Sequence, residues 1–364
     1  MGRDEYYFQY QRPQRHISLT EYVYQIGSYH YNWHPDLELL AILRGDVEVC
    51  ADGEVSLLHE RDVFLINSNV GHATLSLGTD SVAMLLHINP AFFQDFFPST
   101  QSLSISCRSD DSNRENMIFR QIRSCLADMM LYCGSAPDQQ LRYEATFYSL
   151  IRILLTDFDI KEEPMASAQS RISMDKAILK LIDFIDEHYQ QRISLEDLSR
   201  KSGYHRIYIS QLFKSRMGIN FIEYLNRVRL REATAALRLT DDSVTDIALN
   251  CGFSDLKSFS NRFRETFCRT PTAYRQSLTE AGKSIDLTFK KQYWPKDDEP
   301  ITAILRQWVT EGLLMFLTAA NGSSGLQPGQ VAITPDQLNL IQSLGLELEE
   351  KAKSLLAIGR HPGL

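Results

Sequence analysis

Two stretches of the chain share one pattern of residues: SLEDLSRKSGYHRIYISQLFKSRMGINFIEY at positions 194–224 and SVTDIALNCGFSDLKSFSNRFRETFCRTPTAY at positions 243–274. The markers of the first copy recur about 49 residues later, with one extra residue between the glycine and the phenylalanine. Each copy predicts two short helices around a glycine turn. In the first, Ser194 is a natural N-cap and Gly203 supplies the left-handed residue that ends a helix. A second helix with a polar outer face is typical of a helix-turn-helix unit, which places that helix in the major groove.

The outward-facing residues around the second helix of each copy are the candidates for contact with DNA. Arg206 and Lys257 can donate hydrogen bonds to guanine, and Gln211 and Asn261 can read adenine. Asp255 is expected to cap its helix rather than to read a cytosine. The full candidate set is His205, Arg206, Ser210, Gln211, Lys214, Ser254, Asp255, Lys257, Ser258, Asn261, Arg262 and Arg264.

The charge of the chain is distributed unevenly. The 364 residues carry a formal net charge of −8, which does not by itself indicate a nucleic-acid binder. Residues 173–277, however, hold 17 Lys+Arg against 13 Asp+Glu, a net charge of +4, whereas the rest of the chain carries −12. A local basic surface predicts phosphate contact and salt-dependent binding, although a solvated helix face has the same composition. On the helix predicted over 221–239, Arg227, Arg229 and Arg231 are available for phosphates or for acidic neighbours.

Further residues in this region follow a known family pattern. They are Phe213-Lys214, Gly218, Tyr224, Ile247-Ala248, Gly252-Phe253-Ser254-Asp255, Phe259-Ser260, Phe263-Arg264, Pro271 and Tyr274-Arg275. Together they resemble the DNA-binding domain of AraC/XylS-type transcription regulators over about residues 174–277. The resemblance implies seven helices whose two helix-turn-helix units occupy successive major grooves of an operator. Cys268 stands where the family usually has glycine, and His205-Arg206-Ile207 replaces a Ser-Pro-Ser-like opening, which concerns the operator sequence.

The amino-terminal part predicts an antiparallel barrel. Short alternating apolar stretches between Tyr22 and His87 are separated by turn residues. Within them, His34-x3-Glu38-x6-Gly45 and the later His72 are similar to the first metal motif of cupins and to the sensing barrel of many AraC-type regulators. Asn32 replaces the other histidine of that motif, so we expect a polar pocket wall with no metal and no cofactor. A bound metal is the alternative.

We expect a small-molecule effector in this barrel. Aromatic faces beside His and Glu suit a sugar, which offers apolar C–H patches next to hydroxyl groups, and the resemblance also implies sugars or oligosaccharides. The predicted effector-binding residues are Tyr24, Tyr31, Trp33, His34, Glu38 and His72. The tract Tyr6–Tyr10 is either an arm that closes over the ligand or a first strand.

The expected fold is a mixed multidomain protein: a cupin-like β-barrel with a helical pair, an all-α double helix-turn-helix domain and a C-terminal helical extension. We place the barrel at 1–112, a helical dimerisation segment at 113–158, a linker at 159–172, the DNA-binding domain at 173–277 and the extension at 278–364. The extension has predicted helices at 300–319 and 335–357 and no assigned role.

The functional expectation is a ligand-responsive, non-enzymatic transcription regulator that acts as a homodimer on double-stranded operator DNA. RNA polymerase is a further expected partner, and activation and repression both remain open. Six cysteines without a C-x-x-C pair and no long apolar run indicate a cytoplasmic protein with reduced thiols and no membrane contact. The alternatives are a cupin-type isomerase or dioxygenase with a DNA-binding appendage, and a constitutive architectural DNA binder.

Overall fold

The protein is described by a computed structural model that covers residues 5–26, 30–78, 80–97, 103–162, 165–267, 269–277 and 292–320. The barrel is built from two main antiparallel sheets. Their strands are β1 (Tyr7–Arg12), β2 (Ile17–Gln25), β3 (His30–Asn32), β4 (Leu37–Arg44), β5 (Val47–Ala51), β6 (Glu54–Leu58), β7 (Val63–Ile66), β8 (His72–Ser76) and β9 (Val82–Ile88). Two short helical turns lie at Pro13–Arg15 and Pro90–Asp95. The expected barrel architecture is confirmed.

The two sheets face each other across an apolar interior. One sheet has the strand order β1-β2-β9-β4-β7 and the other β3-β8-β5-β6. Because side chains alternate along a strand, Leu40 and Ile42 of β4 and Val47 and Val49 of β5 pack in this interior. The opposite face of the first sheet packs on helices. β4 is therefore buried on both of its faces, which explains its nearly continuous apolar sequence.

Two helices cover the outer face of the first sheet. They are α1 (Met117–Tyr132) and α2 (Pro137–Thr156), and they match the predicted helical segment. The stretch predicted as a linker at 159–172 contains regular structure. Residues Ile160–Glu162 form a strand, β11, that pairs with β10 (Leu103–Ile105), and the helix α3 (Met165–His188) begins just after it.

The helical domain follows the predicted pattern closely. Its helices are α3, α4 (Leu195–Ser202), α5 (Arg206–Met217), α6 (Phe221–Leu239), α7 (Val244–Asn250), α8 (Leu256–Phe267) and α9 (Pro271–Ser277). Ser194 caps α4 by accepting a hydrogen bond from the Asp197 amide, and Gly203 ends it with φ +77°. The core includes Phe213, Tyr224 and Phe263, all of them buried.

The chain returns to the barrel after the helical domain. Residues Gln292–Tyr293 form β12, which pairs with β2 beyond the end of β1, and Trp308 of α10 (Glu299–Ala320) is buried in the core under α1 and α2. The predicted C-terminal extension therefore contributes the strand β12 and the buried face of α10 to the barrel, a role that the sequence left unassigned. The helix predicted at 335–357 lies outside the described residues.

The helical domain packs on the outer face of the second sheet. Cys50 of β5 and Ala73 and Leu75 of β8 share one buried cluster with α3, α5 and α6. At the tip of the β5–β6 hairpin, the amide of Gly53 donates to the carbonyl oxygen of Arg216 at 3.2 Å. None of the described helices has the length and apolar character needed to cross a membrane.

Candidate functional site

The helix α5 presents the predicted residues of the first helix-turn-helix unit to solvent. His205 is its N-cap, and its Nδ1 accepts a hydrogen bond from the Ile207 amide at 3.3 Å. Ile209, Leu212 and Phe213 anchor the helix in the core. The five candidates of this unit are all exposed: His205, Arg206, Ser210, Gln211 and Lys214.

The second helix-turn-helix unit shows the same arrangement. The Asp255 carboxylate accepts a hydrogen bond from the Ser258 amide at 2.7 Å, which confirms its predicted role as a helix cap. That hydrogen bond, together with one from the Ser254 hydroxyl, lowers the pKa of Asp255. The other candidates are Ser254, Lys257, Asn261, Arg262 and Arg264, all exposed, and Ser258, which is half-buried.

Several basic candidates already have partners on the protein. The Arg206 guanidinium lies 2.6 Å from the Glu196 carboxylate, and the two side chains are 61% and 59% exposed. Lys214 donates to the carbonyl oxygen of Gly218 at 2.8 Å, and Arg262 lies 3.3 Å from Glu265. The exposed ion pairs of Arg206 and Arg262 are weak, so these two cations can exchange their partners for phosphates or bases.

The three arginines of α6 are structural residues in this arrangement. Arg229 donates to the carbonyl oxygens of Tyr189 and Gln191 at 2.8 Å each, and burial lowers its pKa. Arg231 is paired with Asp186 and Glu232, and Arg227 with Glu223 and with Glu48 of the barrel. Of the two roles that the sequence left open, Arg227 and Arg231 have the acidic neighbours, whereas Arg229 has backbone carbonyl partners that the sequence did not predict.

Contacts between the barrel and the helical domain were not predicted from the sequence. The guanidinium of Arg227 bonds both carboxylate oxygens of Glu48, with Nη2 to Oε2 at 3.3 Å, and Arg216 lies 3.3 Å from Asp52. A Cβ on Gly53 would lie 2.4 Å from the Ser215 carbonyl oxygen. The sequence does indicate a turn at Asp52-Gly53, and both residues have positive φ angles in the structure. A turn signal does not show which other element the turn contacts.

Inside the barrel, imidazole groups converge on one carboxylate. Nε2 of His34 lies 3.1 Å from Oε2 of Glu38, Nε2 of His72 lies 3.3 Å from it, and Nε2 of His87 lies 3.7 Å from it. These four residues are the barrel cluster. The structure thus brings together three of the predicted residues and adds His87, which the sequence analysis missed. His87 lies on β9 directly opposite Glu38 of β4, a pairing that the sequence alone does not indicate.

The tautomers of two histidines follow from their backbone contacts. Nδ1 of His34 donates to the Asp36 carbonyl oxygen at 3.2 Å, and Nδ1 of His72 donates to the Val70 carbonyl oxygen at 3.0 Å. A carbonyl oxygen only accepts, so Nδ1 carries the proton and Nε2 faces the carboxylate. The ligand atoms of His34, Glu38 and His72 all lie within 4.8 Å of one another, so this set can hold a divalent metal. With Nε2 protonated, the same set is a buried ion pair.

Tyrosines line the interior beside the barrel cluster. The Tyr22 hydroxyl and Nε2 of His87 are hydrogen-bonded at 3.0 Å, and the Tyr293 ring lies 5.2 Å from the Tyr22 ring. Burial, and then the Glu38 carboxylate, raise the pKa of Tyr22 and of Tyr24. These hydroxyl groups therefore stay protonated and can donate.

One of the predicted aromatic residues lies outside the barrel interior. Tyr31 packs with the buried cluster of the helical domain, on the outer face of the second sheet, because its position in β3 alternates with that of Asn32. It is thus not part of the interior wall. Trp33 is half-buried, and its buried indole nitrogen has no hydrogen-bond partner among the residues that the structure describes. Tyr24 lies in the interior as predicted.

Comparison with known proteins supports both domains. A family model described as a helix-turn-helix domain matches residues 198–277, and one described as a cupin domain matches residues 22–89. The regulatory protein SoxS of Salmonella typhimurium is 36% identical over 107 residues, which are 29% of this chain and all of SoxS. Uncharacterized HTH-type transcriptional regulators of Staphylococcus aureus are 25% identical over 255 residues, 67% of this chain and 32% of theirs. The chain therefore spans about a third of the length of these curated relatives.

Among the solved structures that are similar to part of this chain is a transcriptional regulator with an AraC-type DNA-binding domain from Chromobacterium violaceum, 27% identical, with a TM-score of 0.28 over 29% of this chain and 93% of that one. The match to the whole of SoxS, together with the two family models, establishes the relationship. The chain belongs to the AraC-type family of DNA-binding transcription regulators and carries a cupin-like domain ahead of its two helix-turn-helix units.

Proposed function

We propose that this transcription regulator is controlled by a small-molecule effector, a sugar or oligosaccharide, that binds at the barrel cluster. One observation carries the proposal. The second sheet has His72 on its inner face, within 3.3 Å of Glu38, and the helical domain packed on its outer face. A ligand that moves β8 or β5 from the inside acts directly on the surface that holds the DNA-binding domain.

The chemistry of the interior supports a polyhydroxylated ligand. Glu38 accepts hydrogen bonds, and the protonated hydroxyl groups of Tyr22 and Tyr24 donate them. The rings of Tyr22 and Tyr293 offer apolar faces next to these groups. The side chains of His34 and His87 are 23% and 14% exposed, so part of the cluster can be reached from solvent.

The effector would shift the population between two arrangements of the same molecule. In the arrangement described here, the recognition residues of α5 and α8 are exposed while the C-terminal end of α5 is held by the barrel. The barrel thus positions the first helix-turn-helix unit without covering it. The expected effect of the ligand is a change in how the two units are presented to successive grooves.

We also propose that α1 and α2 form the contact of a homodimer. Leu141 and Tyr148 of α2 are exposed at 71% and 36%, and Met117 of α1 at 60%, on helices that otherwise pack on the barrel. Analytical ultracentrifugation of the full chain tests this, and a monomer at micromolar concentration would contradict it. The operator-bound dimer would contact RNA polymerase, and a promoter reporter tests whether this contact activates or represses transcription.

The test of the effector is a calorimetric titration of the full chain with a panel of neutral mono- and disaccharides. We expect saturable binding that is lost in Glu38→Gln and kept in His59→Ala, because His59 lies outside the cluster and pairs with Asp46. If no sugar of the panel binds, the effector class is wrong.

A second measurement addresses the proposed absence of a metal. Elemental analysis of the dialysed full chain is expected to show no stoichiometric transition metal. A stoichiometric metal that Glu38→Gln removes would overturn this part of the proposal and would favour the metal-enzyme alternative.

A further inference from the structure

The outer faces of α5 and α8 present residues at matching positions. In α5, the core residues Ile209 and Phe213 leave one set of side chains on the opposite side of the helix, since residues three and four apart share a face. That set is Ile207, Gln211 and Lys214. In α8, Phe259 and Phe263 are in the core, and the opposite set is Lys257, Asn261 and Arg264.

The internal repeat makes these two sets directly comparable. Phe213 and Phe263 are equivalent, and the three outward positions lie at the same offsets from them. Gln211 matches Asn261, an amide in both cases, and Lys214 matches Arg264, a cation in both cases. The remaining pair, Ile207 and Lys257, differs in chemical character, because Ile207 is apolar and Lys257 is charged.

Ile207 is not needed by the core of the helical domain. Its side chain is 59% exposed on the first turn of α5, between the candidates Arg206 and Ser210. An isoleucine cannot exchange hydrogen bonds with a base edge. It can bury the C5-methyl group of thymine, which is the apolar feature of the major groove. Lys257 can donate to O6 and N7 of guanine.

We propose that Ile207 reads a thymine methyl group in one half-site and that Lys257 reads a guanine at the corresponding position of the other. The operator would then be an imperfect direct repeat with a period of about one helical turn. Its two half-sites would have the same bases where Gln211 and Asn261 or Lys214 and Arg264 make contact, and different bases where Ile207 and Lys257 do. The asymmetry would set the direction in which the protein lies on the DNA. This inference rests on the DNA-binding activity of the family and is independent of the proposed effector.

The first experiment selects double-stranded DNA from a random pool with the full chain and then replaces each thymine of the selected site with deoxyuridine. Loss of one methyl contact is expected to weaken binding about fourfold at a single position. Ile207→Ala should bind the thymine and deoxyuridine sites equally. The matched control is Ile222→Ala, an isoleucine of α6 that is 53% exposed and outside both recognition helices, and it should keep the sensitivity.

The second experiment exchanges the two side chains in the full chain and repeats the selection. Ile207→Lys should change the selected base from thymine to guanine in one half-site, and Lys257→Ile should make the opposite change in the other half-site. The proposal is overturned if no thymine is sensitive to loss of its methyl group, if Ile207→Ala keeps that sensitivity, or if the pool yields no enriched sequence. Unchanged base preferences in the exchanged variants also overturn it.

Discussion

The contact between the β5–β6 hairpin and α5 predicts a specific effect of Gly53→Ala. Gly53 has φ +79°, and a Cβ there would lie 2.4 Å from the Ser215 carbonyl oxygen, too close for any relaxed structure. The left-handed backbone alone costs an alanine about 1 kcal/mol. Displacing the hairpin from α5 adds about 1–3 kcal/mol, the usual range for overpacking.

Gly203→Ala is the matched control for this prediction. Gly203 has nearly the same φ, +77°, but nothing lies within 4 Å of its Cβ position. It should therefore lose only the backbone term of about 1 kcal/mol, whereas Gly53→Ala should lose about 2–4 kcal/mol in total.

The assay is urea unfolding of the full chain followed by circular dichroism, with hydrogen exchange as a second measurement. The amide at position 53 donates to Arg216 at 3.2 Å, and its protection should fall in Gly53→Ala. Equal losses of stability in the two variants, with unchanged protection at position 53, would show that the barrel does not hold α5 in solution.

Three further predictions concern the core, the barrel and the DNA contact. Burial raises the pKa of the Glu21 carboxyl well above its usual value, so the folded protein holds this proton more tightly than the unfolded chain does. The resulting contribution to stability is fully present below the usual pKa and is lost as the pH rises. Glu21→Gln should therefore raise Tm at about pH 8 and change it little at about pH 4, and a gain at the lower pH would contradict this. Trp308→Ala should cost about 3–5 kcal/mol in urea unfolding, because the side chain is 1% exposed in the barrel core, whereas Leu313→Ala, 57% exposed, should cost little. Arg206→Ala should weaken binding to the selected operator by about 1–3 kcal/mol and binding to random DNA by less, and an equal loss on both would assign Arg206 to phosphate contact.

Local signals in the sequence were sufficient for the helical domain. The helix predicted over 221–239 has the observed bounds of α6, and Ser194, Gly203 and Asp255 have the backbone roles that their residue types favour. Capping and turn formation depend on neighbours within a few residues, so a single sequence contains the necessary information.

Long-range contacts could not be predicted in this way. Nothing in the residues around Tyr293 indicates that they pair with β2, more than 260 positions earlier in the chain. Tyr31 lies on the outer side of β3, and the packing of the whole sheet determines which side of this strand faces the interior. The sequence pattern points to polar side chains for base contact, and an apolar residue such as Ile207 carries no such signal.

Since β12 and α10 return to the barrel, the DNA-binding domain is attached to the barrel at both of its ends. A domain connected at one end can move in any direction, whereas a domain connected at both ends mainly rotates about the line that joins its two connections. The same topology has a practical consequence for chimaeras. Replacing everything after the barrel with a foreign DNA-binding domain would also remove Trp308 from the barrel core, whereas exchanging only the segment between α3 and α9 would keep Trp308 there.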